Sequence, residues 1–235
     1  MQKMIPTHVA IIPDGNRRWA KARGKRACFG HSRGVAAFEK IALYSFDQGV
    51  RCLSIWGMSL DNMQRRSVTE VMGLMKIFKK EFTRLAGSEE IHQREVQINV
   101  LGEWKRYFPR DVREAINKAR KATRMYQKGK LNFLLVYNGT DEMIRAIQAI
   151  ADAGKAQGVN VTANIIKQNL LTYDLSPVDL VIRTGGEPHL SNGFMMWDTA
   201  DAELYFTDKY WPAFENEDYR RALNDYAGRR RRRGK

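Results

Sequence analysis

Short apolar runs alternate with stretches of helical periodicity along nearly the whole of this 235-residue sequence, and that alternation restricts the fold more than any other feature. HVAIIP (8–13) closes on Pro13 and an Asp-Gly pair, which predicts a buried strand running into a turn. RCLSIWGM (51–58), EVQINVL (95–101), LNFLLVYNG (131–139), DLVIRTGG (179–186) and ELYFTDKYW (203–211) read the same way. Between them, Val35, Phe38, Ile41 and Ala42 fall at helical spacing within 31–49. Met75, Phe78, Phe82 and Leu85 mark one face of a long helix from Val71, and further helices are expected at 109–125, 141–154, near 162–171 and at 216–228. Such alternation predicts an α/β fold, a single domain with a mostly parallel central sheet flanked by helices on both faces. The domain is expected over 1–228, with a basic tail at 229–235.

In sheets of this kind, sites form at the carboxyl ends of strands. Three segments rich in reactive side chains follow predicted strands: Asp14 to Arg18, Ser59 to Arg66, and Arg183 to Ser191. The formal charge of +14 points to anionic partners, and the terminal RRRRRGK carries only part of it. Nucleic acid is not expected, because the remaining cations are dispersed and no zinc, homeodomain or RNP pattern occurs. Cys28 and Cys52 lack CxxC spacing, which fits reduced thiols in a cytoplasmic protein. No run resembles a signal peptide or a membrane span, so any contact with an anionic membrane is expected to be peripheral.

The residues suggest chemistry before any likeness is invoked. In PDGNRRWAKARG (13–24) a strand ends, Gly15 allows close backbone approach, and a helix begins with Arg17 and Arg18, a phosphate cradle. Asp14 beside such a cradle would repel bare phosphate, which a bridging Mg²⁺ reconciles; the alternative is an Asp-Gly turn that only caps a helix. Arg183, His189 and Ser191 compose a second anion site, or Arg183 serves a structural ion pair. Glu203 opens the last strand, as a carboxylate within reach of the metal or as a surface residue.

HVAIIPDGNRRWAKARG with FGH at 29–31, SLDN at 59–62, INVLGEWKRYFP at 98–109 and DLVIRTGGE with WDTADAELYFTDKYWPAF at 179–214 resemble the cis-prenyltransferases, the undecaprenyl diphosphate synthase family. The resemblance spans most of the chain in the family's order. It implies a Mg²⁺-dependent condensation of isopentenyl diphosphate with an allylic diphosphate, farnesyl or longer, giving a long cis-polyprenyl diphosphate. Asp14, Gly15, Asn16, Arg17, Arg18 and His31 would hold the allylic diphosphate near Trp19 and Arg26. Ser59, Leu60, Asp61, Asn62 and Met63 would line the reacting centre, with Asn62 as proton acceptor; the departing diphosphate is the other acceptor. Arg183, His189, Leu190 and Ser191 would hold isopentenyl diphosphate, joined by Arg232 from the second subunit of a homodimer. Asp14 and Glu203 would share the Mg²⁺.

The chain also departs from the family pattern. His189 stands where an Arg is usual, Asn192-Gly193 reads as a one-residue insertion, Ala27 replaces an Arg, and YNGT (137–140) replaces a Tyr-Gly-Gly-Arg run. An extra residue leaves either Arg65 or Arg66 facing phosphate. These departures keep a synthase of short or branched isoprenoids open as an alternative. A non-catalytic subunit would have lost Asp14 or its arginines, which this chain keeps. A prenyl chain needs an apolar tunnel, for which Met75, Phe78, Phe82, Leu85 and the run LNFLLV are candidate walls, or else plain core. Gly57 would leave room at its mouth.

Overall fold

The structure, a computed structural model, describes residues 4–158 and 160–229. In chain order it comprises β1 (His8–Ile12), α1 (Asn16–Lys21), α2 (Ala27–Asp47), β2 (Cys52–Met58), α3 (Leu60–Arg65), α4 (Val68–Leu85), α5 (Glu89–Gln93), β3 (Val96–Leu101), α6 (Trp104–Tyr107), α7 (Arg110–Thr123), β4 (Gly129–Leu135), α8 (Gly139–Gln157), α9 (Ala163–Asn169), β5 (Leu180–Arg183), β6 (Glu203–Phe206) and α10 (Asn216–Gly228). The six strands form one sheet in the order β3-β4-β2-β1-β5-β6, and every neighbouring pair is parallel. The fold expected from the alternation of strands and helices is the fold observed.

Side chains alternate between the two faces of the sheet. Val9, Ile11, Leu53, Ile55, Ile98 and Ile182 meet the apolar sides of α2, α4, α7 and α10 in the larger core. Ala10, Ile12, Trp56, Leu134 and Val181 meet Leu175, Val178, Phe194 and Met195 on the other face. A run of polar side chains crosses this apolar sheet. His8 Nε2 lies 2.8 Å from Ser54 Oγ, Asn132 Nδ2 donates to Ser54 Oγ at 3.1 Å, and Asn99 Nδ2 donates to Asn132 Oδ1 at 3.1 Å. Burial pushes the neighbouring Cys52 thiol up to about 12, so it stays protonated.

Two boundaries moved for identifiable reasons. Helix α2 begins at Ala27 rather than at 31, because Gly30 and Gly34 belong to it despite their poor propensity. A Cβ on Gly30 would lie 2.1 Å from the Asn16 carbonyl oxygen, and one on Gly34 would lie 2.1 Å from Asn16 Oδ1, so both glycines let α2 touch the α1 region. Helix α4 begins at Val68, where the Ser67 side chain accepts from the Glu70 amide, and α3 precedes it with Ser59 as its cap. Among the described residues, no helix is long and apolar enough to cross a membrane. The basic tail beyond 229, Arg232 included, lies outside the described residues.

Candidate functional site

A cleft of about 800 Å³ opens where β1, β2 and β5 end, and it gathers the three segments singled out in the sequence. Its lining includes Asp14, Gly15, Asn16, Arg17, Arg18, His31, Ser59, Asp61, Asn62, Arg65, Arg66, Arg183 and Ser191. Parallel pairing of β1 with β2 and β5 is what brings these loops to one rim.

Gly15 holds the turn between β1 and α1 at φ 98°, and a Cβ there would collide with the Tyr210 ring at 2.5 Å. Asp14 emerges between two guanidinium groups: Arg183 Nη2 donates to its Oδ2 at 3.1 Å, and Arg18 Nη2 lies 3.2 Å from its Oδ1. Arg183 is itself buried. Its Nη1 donates to Ser191 Oγ at 2.8 Å and to the His189 carbonyl at 2.6 Å. Ser191 Oγ in turn sits 3.3 Å from His189 Nε2.

Across the cleft, the Glu70 carboxylate gathers an imidazole and two guanidinium groups. His31 Nε2 lies 3.0 Å from it, Arg66 Nη1 3.4 Å and Arg17 Nε 3.9 Å. Burial, chiefly, lowers the His31 pKa, against the raising effect of Glu70, so the imidazole is neutral at physiological pH. Burial also lowers the Arg66 pKa, although a guanidinium remains charged. Glu70 escaped notice in the sequence because S-x-x-E before an apolar run reads as a helix-capping box. Its side chain is turned to His31, Arg66 and Arg17 instead.

Arg65 and Arg66 both line the cleft but differ in setting. Arg65 is 83% exposed and faces Asp61, whereas Arg66, held in extended backbone after α3, is 15% exposed and points at Glu70. Lys21 and Lys25 also line the cleft and were not singled out, although Lys21 lies one turn beyond Arg17 on α1. Ser59 Oγ accepts from the Asn62 amide at 3.0 Å and so fixes the start of α3 beside the cleft.

Other expected site residues fall elsewhere. Arg26 is exposed at the start of α2 and does not line the cleft, where Ala27 and Lys25 do. Trp19 stacks on Phe29 with centroids 5.9 Å apart, beneath the Arg23 guanidinium. Leu60 lines a neighbouring pocket, Met63 packs on the larger core and Leu190 on the smaller. The structure does not bring Glu203 to Asp14. Parallel register sets Glu203 level with Leu180, at the start of the strands, and Arg183 level with Phe206. The Glu203 carboxylate accepts from Arg229 Nη1 at 2.7 Å.

Among the described residues, the buried side-chain nitrogen and oxygen atoms that lack a partner are Asn16 Oδ1, Trp19 Nε1, Arg66 Nε and Arg183 Nε. Three of these belong to cleft-lining residues. Buried polar groups are normally satisfied, so the two unpartnered guanidinium donors, on Arg66 and Arg183, fit an anionic ligand; the Asn16 oxygen is an acceptor and does not. No group of three or more acidic, His or Cys side chains there could hold a metal alone. Asp14, one-third exposed at the rim, would suit Mg²⁺ shared with phosphate oxygens and water.

Behind the cleft lies an apolar pocket lined by Phe38, Ala42, Leu74, Phe78, Phe82, Leu85, Leu131 and Phe133. Pro13, Asn16, His31 and Gly57 line both spaces, which adjoin there.

Comparison with known proteins gives this arrangement a context. The profile of the undecaprenyl diphosphate synthase prenyltransferases matches residues 12–234. The tritrans,polycis-undecaprenyl-diphosphate synthase (geranylgeranyl-diphosphate specific) of Pyrococcus furiosus is 37% identical over 99% of the chain and 88% of that protein. The ditrans,polycis-undecaprenyl-diphosphate synthase ((2E,6E)-farnesyl-diphosphate specific) of Pectobacterium atrosepticum is 39% identical over 97% and 90%. A crystal structure of lavandulyl diphosphate synthase from Lavandula x intermedia, in complex with dimethylallyl diphosphate, superposes with a TM-score of 0.90 at 31% identity, covering 98% of this chain and 99% of that one.

Proposed function

This chain belongs to the undecaprenyl diphosphate synthase family of cis-prenyltransferases, and from that premise we propose that it adds isopentenyl diphosphate units to a farnesyl or longer allylic diphosphate, giving a long cis-polyprenyl diphosphate. The observation that carries this reading is one cleft with arginines on two walls that adjoins an apolar pocket. On one wall, Arg17, Arg66 and His31 receive the allylic diphosphate. On the other, Arg183 and Ser191 receive isopentenyl diphosphate. The bond from the allylic C1 to its diphosphate oxygen breaks, the isopentenyl double bond supplies the electrons of the new C–C bond, and a proton leaves the adduct. Fixed guanidinium groups stabilise the charge that grows on the leaving diphosphate. Asp14 would hold Mg²⁺, which when bound would help neutralise that charge. The adduct's proton goes to the Asn62 side chain or to the released diphosphate; a neutral amide is the weaker base.

Each added isoprene unit gains roughly 3–4 kcal/mol by burying its carbons. The pocket lined by α2 and α4 supplies such a surface, with Phe82 and Phe133 among its walls. The reading extends to a homodimer in which Arg232 of the second copy completes the isopentenyl diphosphate site, and to a cytoplasmic enzyme that meets an anionic membrane peripherally. A short or branched product is the second reading, favoured by the close superposition on the lavandulyl enzyme.

Incubation of the purified chain with labelled isopentenyl diphosphate, Mg²⁺ and dimethylallyl, farnesyl or geranylgeranyl diphosphate, followed by product sizing, decides between them. Long products are expected, and EDTA or Asp14→Ala should abolish them. Activity retained in Asp14→Ala would refute the metal assignment, and ten-carbon products alone would establish the second reading.

A further inference from the structure

Three strand-end loops are tied together by one polar knot. Asn192 Nδ2 donates to Asp61 Oδ2 at 2.5 Å and to Asn138 Oδ1 at 3.3 Å. Asn138 Nδ2 donates to the same Asp61 oxygen at 3.2 Å, and Asn138 Oδ1 also accepts from the Leu60 amide at 3.2 Å. Asp61 stands in α3 after β2, Asn138 follows β4, and Asn192 follows β5. The other Asp61 oxygen lies 3.6 Å from Arg65, a mostly exposed partner.

The backbone is shaped for this contact. Asn192 adopts φ 48° and ψ 34°, a left-handed conformation that asparagine tolerates better than most residues. Gly193 follows at φ 61° and presses on the start of α8, so closely that a Cβ on Gly139 would lie 1.7 Å from the Gly193 carbonyl oxygen. The insertion read at Asn192-Gly193 is therefore seated, not looped out into solvent.

We propose that Asp61 is a positioning residue: with Asn138 and Asn192 it straps the loop carrying His189 and Ser191 to the start of α3. This rests on the functional reading given above. Arg183 directs one nitrogen to Ser191 and to the His189 carbonyl, so the place of residues 189–191 sets the tip of the buried guanidinium. Residue 192 is the next in the chain, and its amide is the tie to the neighbouring loops. The strap thereby fixes the distance between the seat of the second diphosphate and Asn62, which adjoins Asp61. With His189 in place of the usual Arg, the diphosphate at this seat has one guanidinium fewer, and precise placement of Arg183 matters more.

The test compares Asp61→Ala, Asn192→Ala, their double variant and Asp61→Asn. Loss of the carboxylate acceptor should raise the KM for isopentenyl diphosphate about 5–10-fold and leave the KM for the allylic primer within about twofold. The double variant should fall short of the sum of the two single effects, because both changes cut the Asn192–Asp61 bond and only the 3.3 Å contact of Asn192 with Asn138 is lost in addition. Asp61→Asn, which keeps an acceptor oxygen, should restore most of the loss. Amide hydrogen exchange supplies a readout that needs no turnover: residues 187–193 should exchange faster in Asp61→Ala and Asn192→Ala, with α1 unaffected. Unchanged exchange in that segment would overturn the strap. Faster exchange with both KM values raised equally would overturn its role in placing the second substrate. A wild-type chain without turnover would instead refute the functional reading, and exchange would still decide the strap.

Discussion

Glu70→Gln isolates the electrostatics of the cleft, because the amide keeps an oxygen for His31 while removing the negative charge. In the wild type, the Glu70 carboxylate and the Arg66 guanidinium are 10% and 15% exposed and 3.4 Å apart. Removing one member of a fully buried pair typically costs about 3–5 kcal/mol, because the other charge is left without compensation. This pair borders an open cleft at slightly more than hydrogen-bond length, and Arg17, at 3.9 Å, is 63% exposed and adds little. A loss of about 2 kcal/mol follows, which for a chain of this size lowers Tm by about 4–8 °C. Differential scanning calorimetry without ligand reads this directly. Pyrophosphate should then raise the Tm of Glu70→Gln more than that of the wild type, because it returns a counter-ion to Arg66. A ligand-free variant melting within about 1 °C of the wild type would refute the idea that Glu70 holds these cations.

Three further outcomes are expected. Arg183→Lys keeps the charge but loses the fork that reaches Asp14, Ser191 and the His189 carbonyl together, so steady-state kinetics should show an isopentenyl diphosphate KM raised about tenfold or more. Burial lowers the pKa of both His8 and His31. Below about pH 6.5 the unfolded chain then binds protons that the folded chain refuses, so stability is full above that pH and declines as pH falls towards the depressed values. Urea midpoints from pH 8 to 5 should show this decline, with a shallower slope in His31→Gln. Gly57→Leu adds a side chain where cleft and apolar pocket adjoin, and product sizing should show shorter chains; its Cβ would lie 2.6 Å from the buried Leu135 Cδ2, so calorimetry should also show a lowered Tm.

The strands were legible because a parallel sheet buried on both faces demands unbroken apolar runs, and β1, β2 and β5 announce themselves this way. The start of α2 was not, because Gly30 and Gly34 look like helix breakers until their contact with Asn16 is seen. Register was also hidden. Glu203 resembles a site residue in a linear sequence, yet its position at the beginning of β6 puts it at the opposite end from Asp14 and gives it to Arg229. Arg65 and Arg66 could not be told apart by spacing, since the turn to extended backbone after α3 decides which one faces Glu70. Asp14, Arg183 and Ser191 were found because chemistry-bearing residues directly after predicted strands must share one rim.

The polar rungs linking His8, Ser54, Asn132 and Asn99 have a consequence far from where they lie. Apolar parallel strands are nearly interchangeable under a two-residue slip, which preserves which face each side chain meets. Such a slip would part these four residues and strand their donors in a hydrocarbon setting. They act as a datum line: Ser54, Asn132 and Asn99 stand level in the register with His8 two residues below, and the loops at the reactive end are counted from there.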